Sequence, residues 1–278
     1  GRAIARQHGA EPSNAGFVCD LFGHTGQLPQ IMAGFGINSG FLWRGINTEH
    51  ALTRWFGADG TEMICYIFGL HGYCGYAVEG RDAASKTVGL DATAFRKGLD
   101  AHLDREVGRL GDAPVLLFDG GDHQYWDQEA YKHLAELFDG EHDTFDIHHT
   151  DLDTYLQQLT QSDVDIPLTL EGELREPGRE SGNINNGWLI PGVLSSRVWI
   201  KQDNAACETL LTDWAEPMAV LANVLTGSEY PADYLDVAWQ WLIKNHPHDS
   251  ICGCSIDQVH EDMKFRFSQC EQIADRLK

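Results

Sequence analysis

Hydrophobic residues in the first two-thirds of the chain fall in short unbroken runs. In the last third they recur every three or four positions instead. The runs FVCD (Phe17 to Asp20), FLWRG (Phe41 to Gly45), MICYIF (Met63 to Phe68), VLLFDGGD (Val115 to Asp122), FDIHH (Phe145 to His149) and PLTLEGEL (Pro167 to Leu174) predict strands. Unbroken apolar runs suit a parallel sheet covered on both faces. Amphipathic stretches near Thr25–Ala33, Asp91–Leu110, Asp127–Phe138 and Asp151–Gln161 predict helices between them. This alternation implies α/β architecture with right-handed crossovers, and a barrel satisfies it.

The rhythm stops at EPGRESGNINNGW (Glu176 to Trp188), which is rich in Gly, Asn and Ser and has no period. It predicts a loop and a domain boundary, dividing the chain into residues 1–186 and 187–278. Beyond it, Ser195–Leu225, Ala232–His246 and Ile256–Lys278 carry helical periodicity, so three helices joined by short loops predict a three-helix bundle.

Composition narrows the possible partners. The 278 residues carry a formal net charge of −22, which argues against nucleic acid or an anionic membrane, because both need clustered Lys and Arg. No apolar run approaches the ~18–20 residues of a membrane span. Seven scattered cysteines without a disulfide framework suggest reduced thiols and a cytoplasmic setting. The chain opens GRAIARQHGAEPSNAGFVCD without Met, which reads as the interior of a longer protein.

In parallel α/β barrels the chemistry gathers at the C-terminal ends of strands. Here those ends carry Asp20, Arg44, Asp119 and Asp122 with His123 beside it, and Glu171 and Glu173. Each Asp alone would equally well cap a following helix. Together they offer paired carboxylates, the equipment of a glycosidase, with a guanidinium able to bind a carboxylate or a sugar hydroxyl. Trp43, Tyr73 and Trp126 are candidates to stack on a sugar face, although aromatics beside strands are commonly core. His24, in FGHTGQ, either supports Asp20 from behind or packs at a helix start. Asp119 is either a second cleft carboxylate or the residue that orders the GGDH turn.

A second polar cluster, NHPHDSICGCS (Asn245 to Ser255), lies where an amphipathic helix stops. C-x-C is shorter than the usual C-x₂₋₄-C of zinc sites, so Cys252 and Cys254 read as small packing residues. His248 beside Asp249 is more suggestive, since a neutral imidazole needs a partner to fix its tautomer.

Taken together these stretches resemble glycoside hydrolase family 38, the class II α-mannosidases, in its bacterial branch. FVCDLFGHTGQLPQIMAGFGI (Phe17 to Ile37) is similar to the family's nucleophile segment. PHDSICGCSIDQVHEDM (Pro247 to Met263) is similar to its histidine segment. Arg44 falls 24 residues after Asp20, the spacing of a substrate-contacting arginine in the family. FDGGDHQ (Phe118 to Gln124) resembles the branch's N-G-x-D-H-Q stretch, with Asp119 where Asn is commoner. LIPGVLSSRVWIKQDNAACETLL (Leu189 to Leu211) resembles the opening of the helical middle domain.

The resemblance implies Asp20 as nucleophile and zinc ligand, His248 as another zinc ligand with Asp249 beside it, and Asp122 as general acid/base. It also implies Arg44 as a substrate contact near the nucleophile. Asp249, Asp119, Trp43 and Tyr73 are the other candidate substrate contacts, and His24 and His123 are candidates to stand behind the reacting groups. Zn²⁺, or another divalent metal in its place, would orient sugar hydroxyls. The substrate would be an α-mannoside or oligosaccharide, cleaved with retention through a covalent glycosyl-enzyme.

Nothing before Asp20 matches the family's early His-x-Asp motif, since His8 is followed by Gly9 and Ala10. The expectation is therefore an incomplete (β/α) barrel of about seven strands, with the first strand and the family's C-terminal β-domain missing. Two other readings remain: a metal-dependent deacetylase or amidohydrolase on a related barrel, and a non-catalytic sugar-binding fragment.

Overall fold

The computed structural model describes residues 1–82, 90–122, 125–138, 145–161, 163–176 and 189–278, which divide into two compact units, Gly1–Leu189 and Ile190–Lys278. Among the described residues no helix is long and apolar enough to cross a membrane.

The first unit is built on a five-stranded sheet. Its elements in chain order are α1 (Arg2–Gln7), β1 (Ala15–Val18), α2 (Leu28–Gly34), β2 (Ser39–Leu42), β3 (Leu52–Phe56), β4 (Glu62–Ile67), α3 (Ala92–Leu110), α4 (Gln128–Phe138), α5 (Leu152–Gln161) and β5 (Leu168–Glu171). The strand order is β1-β2-β4-β3-β5. β1, β2 and β4 run parallel, with Val18 opposite Leu42 and Leu42 opposite Ile67. β3 runs antiparallel to β4, and β5 parallel to β3.

Successive side chains of a strand point to opposite faces, and the core follows that rule. Phe41, Leu52, Tyr66 and Phe68 pack with Leu110, Tyr155, Leu156 and Leu159 in one cluster. Leu42, Trp55, Met63, Cys65 and Ile67 form another, with Leu28 and Met32 of α2 against them. Full burial of side chains such as Phe41, Leu42 and Ile67 contributes about 1.5–3 kcal/mol each. α3 starts where the Asp91 carboxylate accepts the N–H groups of Thr93 and Ala94, both at 3.1 Å.

Two expectations are corrected. The described residues form five strands in place of about seven, and the sheet is mixed. Val115–Phe118 and Phe145–His149 carry no ladder. Their apolar side chains are used in packing instead: Leu116 and Phe118 enter the cluster around Phe41, while Leu117 and Ile147 pack near Phe95 and Leu99. β3 was not expected; LTRWF carries a charged Arg54 that breaks the apolar run, and Arg54 bonds Glu62 across the hairpin at 2.5 Å.

The second unit is helical. α6 (Val198–Thr209) passes through a π-helical stretch (Leu210–Ala215) into α7 (Glu216–Thr226), followed by α8 (Ala232–Ile243), the short α9 (His248–Cys252) and α10 (Asp257–Leu277). Ile200, Cys207, Leu211 and Ala215 meet Leu235, Ala238 and Leu242 and also Met263, Phe267, Cys270 and Ala274. These spacings of three, four and seven are one helical face on each segment, which is why the periodicity was readable.

Candidate active site

Because β1, β2 and β4 run parallel, their C-terminal ends open on the same edge of the sheet. Asp20 lies just past β1, Trp43 and Arg44 just past β2, and Tyr73 a few residues past β4. Arg44 Nε donates to Asp20 Oδ1, with both side chains less than one-fifth exposed. The guanidinium carbon stands 4.1 Å over the Trp43 ring and 5.0 Å over the Phe22 ring, so flat faces hold the cation on two sides. Trp43 in turn meets Tyr73 edge to face at 5.9 Å. Gly72 makes this close approach possible: a Cβ there would fall 2.5 Å from the Trp43 ring, and its φ of +57° also favours glycine.

The Tyr73 hydroxyl donates to Asp122 Oδ1 at 3.0 Å. Burial pushes the phenol well above its ordinary range, with the Asp122 hydrogen bond and the nearby Asp20 charge acting in the same direction. Tyr73 therefore stays a proton donor while lying close to both carboxylates.

Asp119 sits elsewhere in this region. It accepts from Arg81 Nη1 at 2.6 Å, and Arg81 is itself nearly inaccessible. Burial raises the Asp119 carboxyl, and the Arg81 charge opposes that shift. Asp119 is thus held by a cation that sequence reasoning missed, because Arg81 lies 38 positions away with no motif around it.

His24 is buried, edge-on to Trp55 at 6.1 Å, with its backbone bridged to Leu174. Burial pushes the imidazole down to about 4, opposed by a contact with the Arg44 backbone. His123 lies outside the described residues. Trp126 is largely exposed and packs on Tyr131 at 5.4 Å.

Glu171 does not join the carboxylate edge. It stands opposite Phe56, which also pairs with Glu62 at the start of β4, so β5 ends at the other edge of the sheet. Glu173 pairs with Arg175 at 3.6 Å.

A cavity at the exit of β4 is lined by His71, Glu79, His102, Arg105 and Glu106 among others, and by neither Asp20 nor Asp122. Its charges are already matched. His102 Nδ1 is 2.8 Å from Glu79, Arg105 also pairs with Glu79, and Glu106 holds Tyr66 and Arg109 at 2.9 and 2.7 Å. We read it as a structural network, in contrast to the carboxylates beside Arg44 and Tyr73.

In the second unit, His248 opens α9 with Nε2 3.6 Å from Asp249 Oδ1, both side chains more than a third exposed. Cys252 is buried as expected, but Cys254 is exposed, with Sγ 3.2 Å from Asp249 Oδ1. His246 instead binds Asn204 Oδ1 at 2.7 Å.

A sheet edge bearing two carboxylates, a clamped arginine and aromatic rings defines a hydrolase-like α/β unit, joined in sequence to a helical one. Residues 1–173 match the glycosyl hydrolases family 38 N-terminal domain, and residues 189–277 match the alpha mannosidase middle domain. The chain belongs to glycosyl hydrolase family 38.

A Halalkalibacterium halodurans protein named as a candidate mannosylglycerate hydrolase is 30% identical over 95% of this chain and 29% of its own length. Human alpha-mannosidase 2C1 is 27% identical over 87% of this chain and 21% of its own. The crystal structure of an alpha-mannosidase from Enterococcus faecalis V583 superposes with a TM-score of 0.80 at 28% identity, covering 99% of this chain and 30% of that one. The chain thus spans three-tenths or less of the length of these relatives.

Proposed function

We propose that this chain carries the nucleophile and the acid/base residue of a retaining α-mannoside hydrolase. The observation that most supports this reading is the Tyr73 phenol, which bonds Asp122 and lies in the field of Asp20, tying the two carboxylates to one edge of the sheet.

The Asp20 carboxylate attacks the anomeric carbon while Asp122 delivers a proton to the departing oxygen. Asp122 then takes a proton from the water that releases the sugar from Asp20. Arg44 orients the Asp20 carboxylate and excludes water from one side of it. Tyr73 fixes the direction of the Asp122 carboxyl by donating to Oδ1. Trp43 contacts the substrate in this reading, with Arg44 covering one ring face and Gly72 and Tyr73 packed against the ring. Asp119 is a further polar contact for the substrate.

Asp20 in the first unit and His248 in the second each offer a donor that zinc accepts, a carboxylate oxygen and an imidazole nitrogen. When bound, the metal would supply electrostatic orientation of sugar hydroxyls. The substrate class is a terminal α-mannoside, with mannosylglycerate the small member that the H. halodurans relative's name suggests.

The test is trapping. An activated fluoro-mannoside that forms a slow-hydrolysing ester should label the peptide containing Asp20, as read by mass spectrometry after digestion. A label on another carboxylate, or inverted product from the unmodified substrate, sinks the assignment.

A further inference from the structure

The turn between α9 and α10 brings three potential ligand atoms together, in a chain segment of only six residues. An Asp249 carboxylate oxygen, Cys252 Sγ and Cys254 Sγ all lie within 4.8 Å of one another. Cys254 Sγ is 3.3 Å from Cys252 Sγ and 3.2 Å from Asp249 Oδ1. In a tetrahedral site with metal–sulfur bonds of about 2.3 Å and metal–oxygen bonds of about 2.0 Å, the corresponding edges are about 3.8 and 3.5 Å. These two gaps need to open by about 0.5 and 0.3 Å, and the remaining one, from Cys252 Sγ to the carboxylate, lies within 4.8 Å.

The backbone holds this arrangement before any ion arrives. The Asp249 carbonyl accepts the N–H groups of both Cys254 and Ser255 at 3.2 Å, and Gly253 turns the chain with a left-handed φ of +88°. C-x-C is too short a spacing for two cysteines on one regular helix face. The left-handed glycine between them brings both sulfurs beside the same carboxylate.

We propose that this turn binds a thiophilic divalent cation of the zinc–cadmium class, through two thiolates and one carboxylate oxygen, with solvent completing the shell. Two soft sulfur donors select against Mg²⁺ and Ca²⁺, which take oxygen ligands. Binding releases both thiol protons to solvent and leaves the ion with its three ligands one negative charge. The Lys201 ammonium stands beside the turn, donating to the Cys252 carbonyl at 3.0 Å and to the Ser196 carbonyl at 2.6 Å, and offsets that charge. All three ligands belong to the second unit and none of them is Asp20; Asp249 adjoins His248, with His248 Nε2 3.6 Å from Asp249 Oδ1, so the two cysteines are what set this site apart from the glycosidase reading.

Co²⁺ is a suitable probe, because thiolate ligation produces a near-ultraviolet charge-transfer band that oxygen and imidazole ligands do not. The reduced 278-residue chain, titrated with Co²⁺, should show this band, and Cd²⁺ but not Mg²⁺ should displace it. Cys254→Ser, at the exposed sulfur, should remove half of the band or more with the circular dichroism unchanged. Cys252→Ser/Cys254→Ser should abolish it, whereas Asp20→Asn should leave it intact. The proposal is overturned if excess Co²⁺ produces no band while both thiols titrate as free, or if the band survives in the double variant. Neither result bears on the trapping of Asp20.

Discussion

Asp20 and Asp249 are both aspartates beside a short element, yet they are held in opposite ways. Asp20 is largely covered, and its partner Arg44 is fixed by two rings; these contacts come together only through packing of the sheet. Asp249 is mostly exposed, and its neighbours His248 and Cys254 are fixed by the local backbone. The first arrangement depends on the tertiary structure of a whole unit. The second needs one turn. A substitution at the sheet edge should therefore disturb both chemistry and stability, while one at the turn should act locally.

The largest effect expected at the edge is on activity. Asp20→Asn should lower aryl α-mannoside turnover at least about 10³-fold, the scale of losing a nucleophile. Its thermal midpoint should also fall, by less than in Arg44→Met, because the ion pair is lost while Asn Oδ1 still accepts from Arg44. Turnover within tenfold of wild type would remove Asp20 from the mechanism.

Arg44→Met tests the packing side of the contrast. It leaves a largely covered carboxylate without its cation, and chemical denaturation should show a loss of about 2 kcal/mol. The counterpart in the second unit is Arg197, whose partner Asp257 is 88% exposed at 2.7 Å. Arg197→Met should cost less than about 1 kcal/mol through the loss of that pair. Equal losses would break the comparison.

How much of this was legible depended on the range of each interaction. The second unit's core positions could be read because Leu235, Ala238 and Leu242 carry their spacing in the chain itself. β1, β2, β4 and β5 were announced by apolar runs, and Asp20 and Arg44 by their place at strand ends. The reversal of β3 could not be read, because direction is set by which neighbour completes the ladder. That reversal placed Glu171 on the wrong edge in the sequence reading. Arg81 beside Asp119 was equally hidden. Glu106 and Arg109 could have been noticed, since they continue the helix face of Leu99, Leu103 and Leu110 as a charged pair where apolar residues were due.

His24 provides a pH readout of the sheet edge. Its folded value of about 4 lies below the ordinary 6.5, so between these values the unfolded chain binds the proton and the native chain does not. Stability from this group is therefore complete above about pH 6.5 and is lost as pH falls toward 4. The slope is at most about 1.4 kcal/mol per pH unit. Unfolding free energies of the wild type and of His24→Phe, measured across pH 4–7, should diverge in this window, with the variant showing the shallower dependence. Parallel curves would mean that His24 is protonated in the folded state.

The last effect expected is the most local one. Gly253 closes α9 with φ at +88°, a conformation in which a Cβ is strained. A Cβ there would also meet Ser196 Oγ at 3.1 Å and Arg197 Cβ at 3.2 Å, the latter two residues lying where α6 begins. Gly253→Ala should cost about 1 kcal/mol in chemical denaturation, because the backbone term is of that size and the Ser196 hydroxyl can rotate aside. The turn should loosen without opening the core of Leu211, Leu242 and Phe267, so the denaturation slope should not change. A loss several times larger, or a changed slope, would show that this turn is bound into the cooperative core of its unit. In that case the local character assigned to His248, Asp249 and the two cysteines would be wrong.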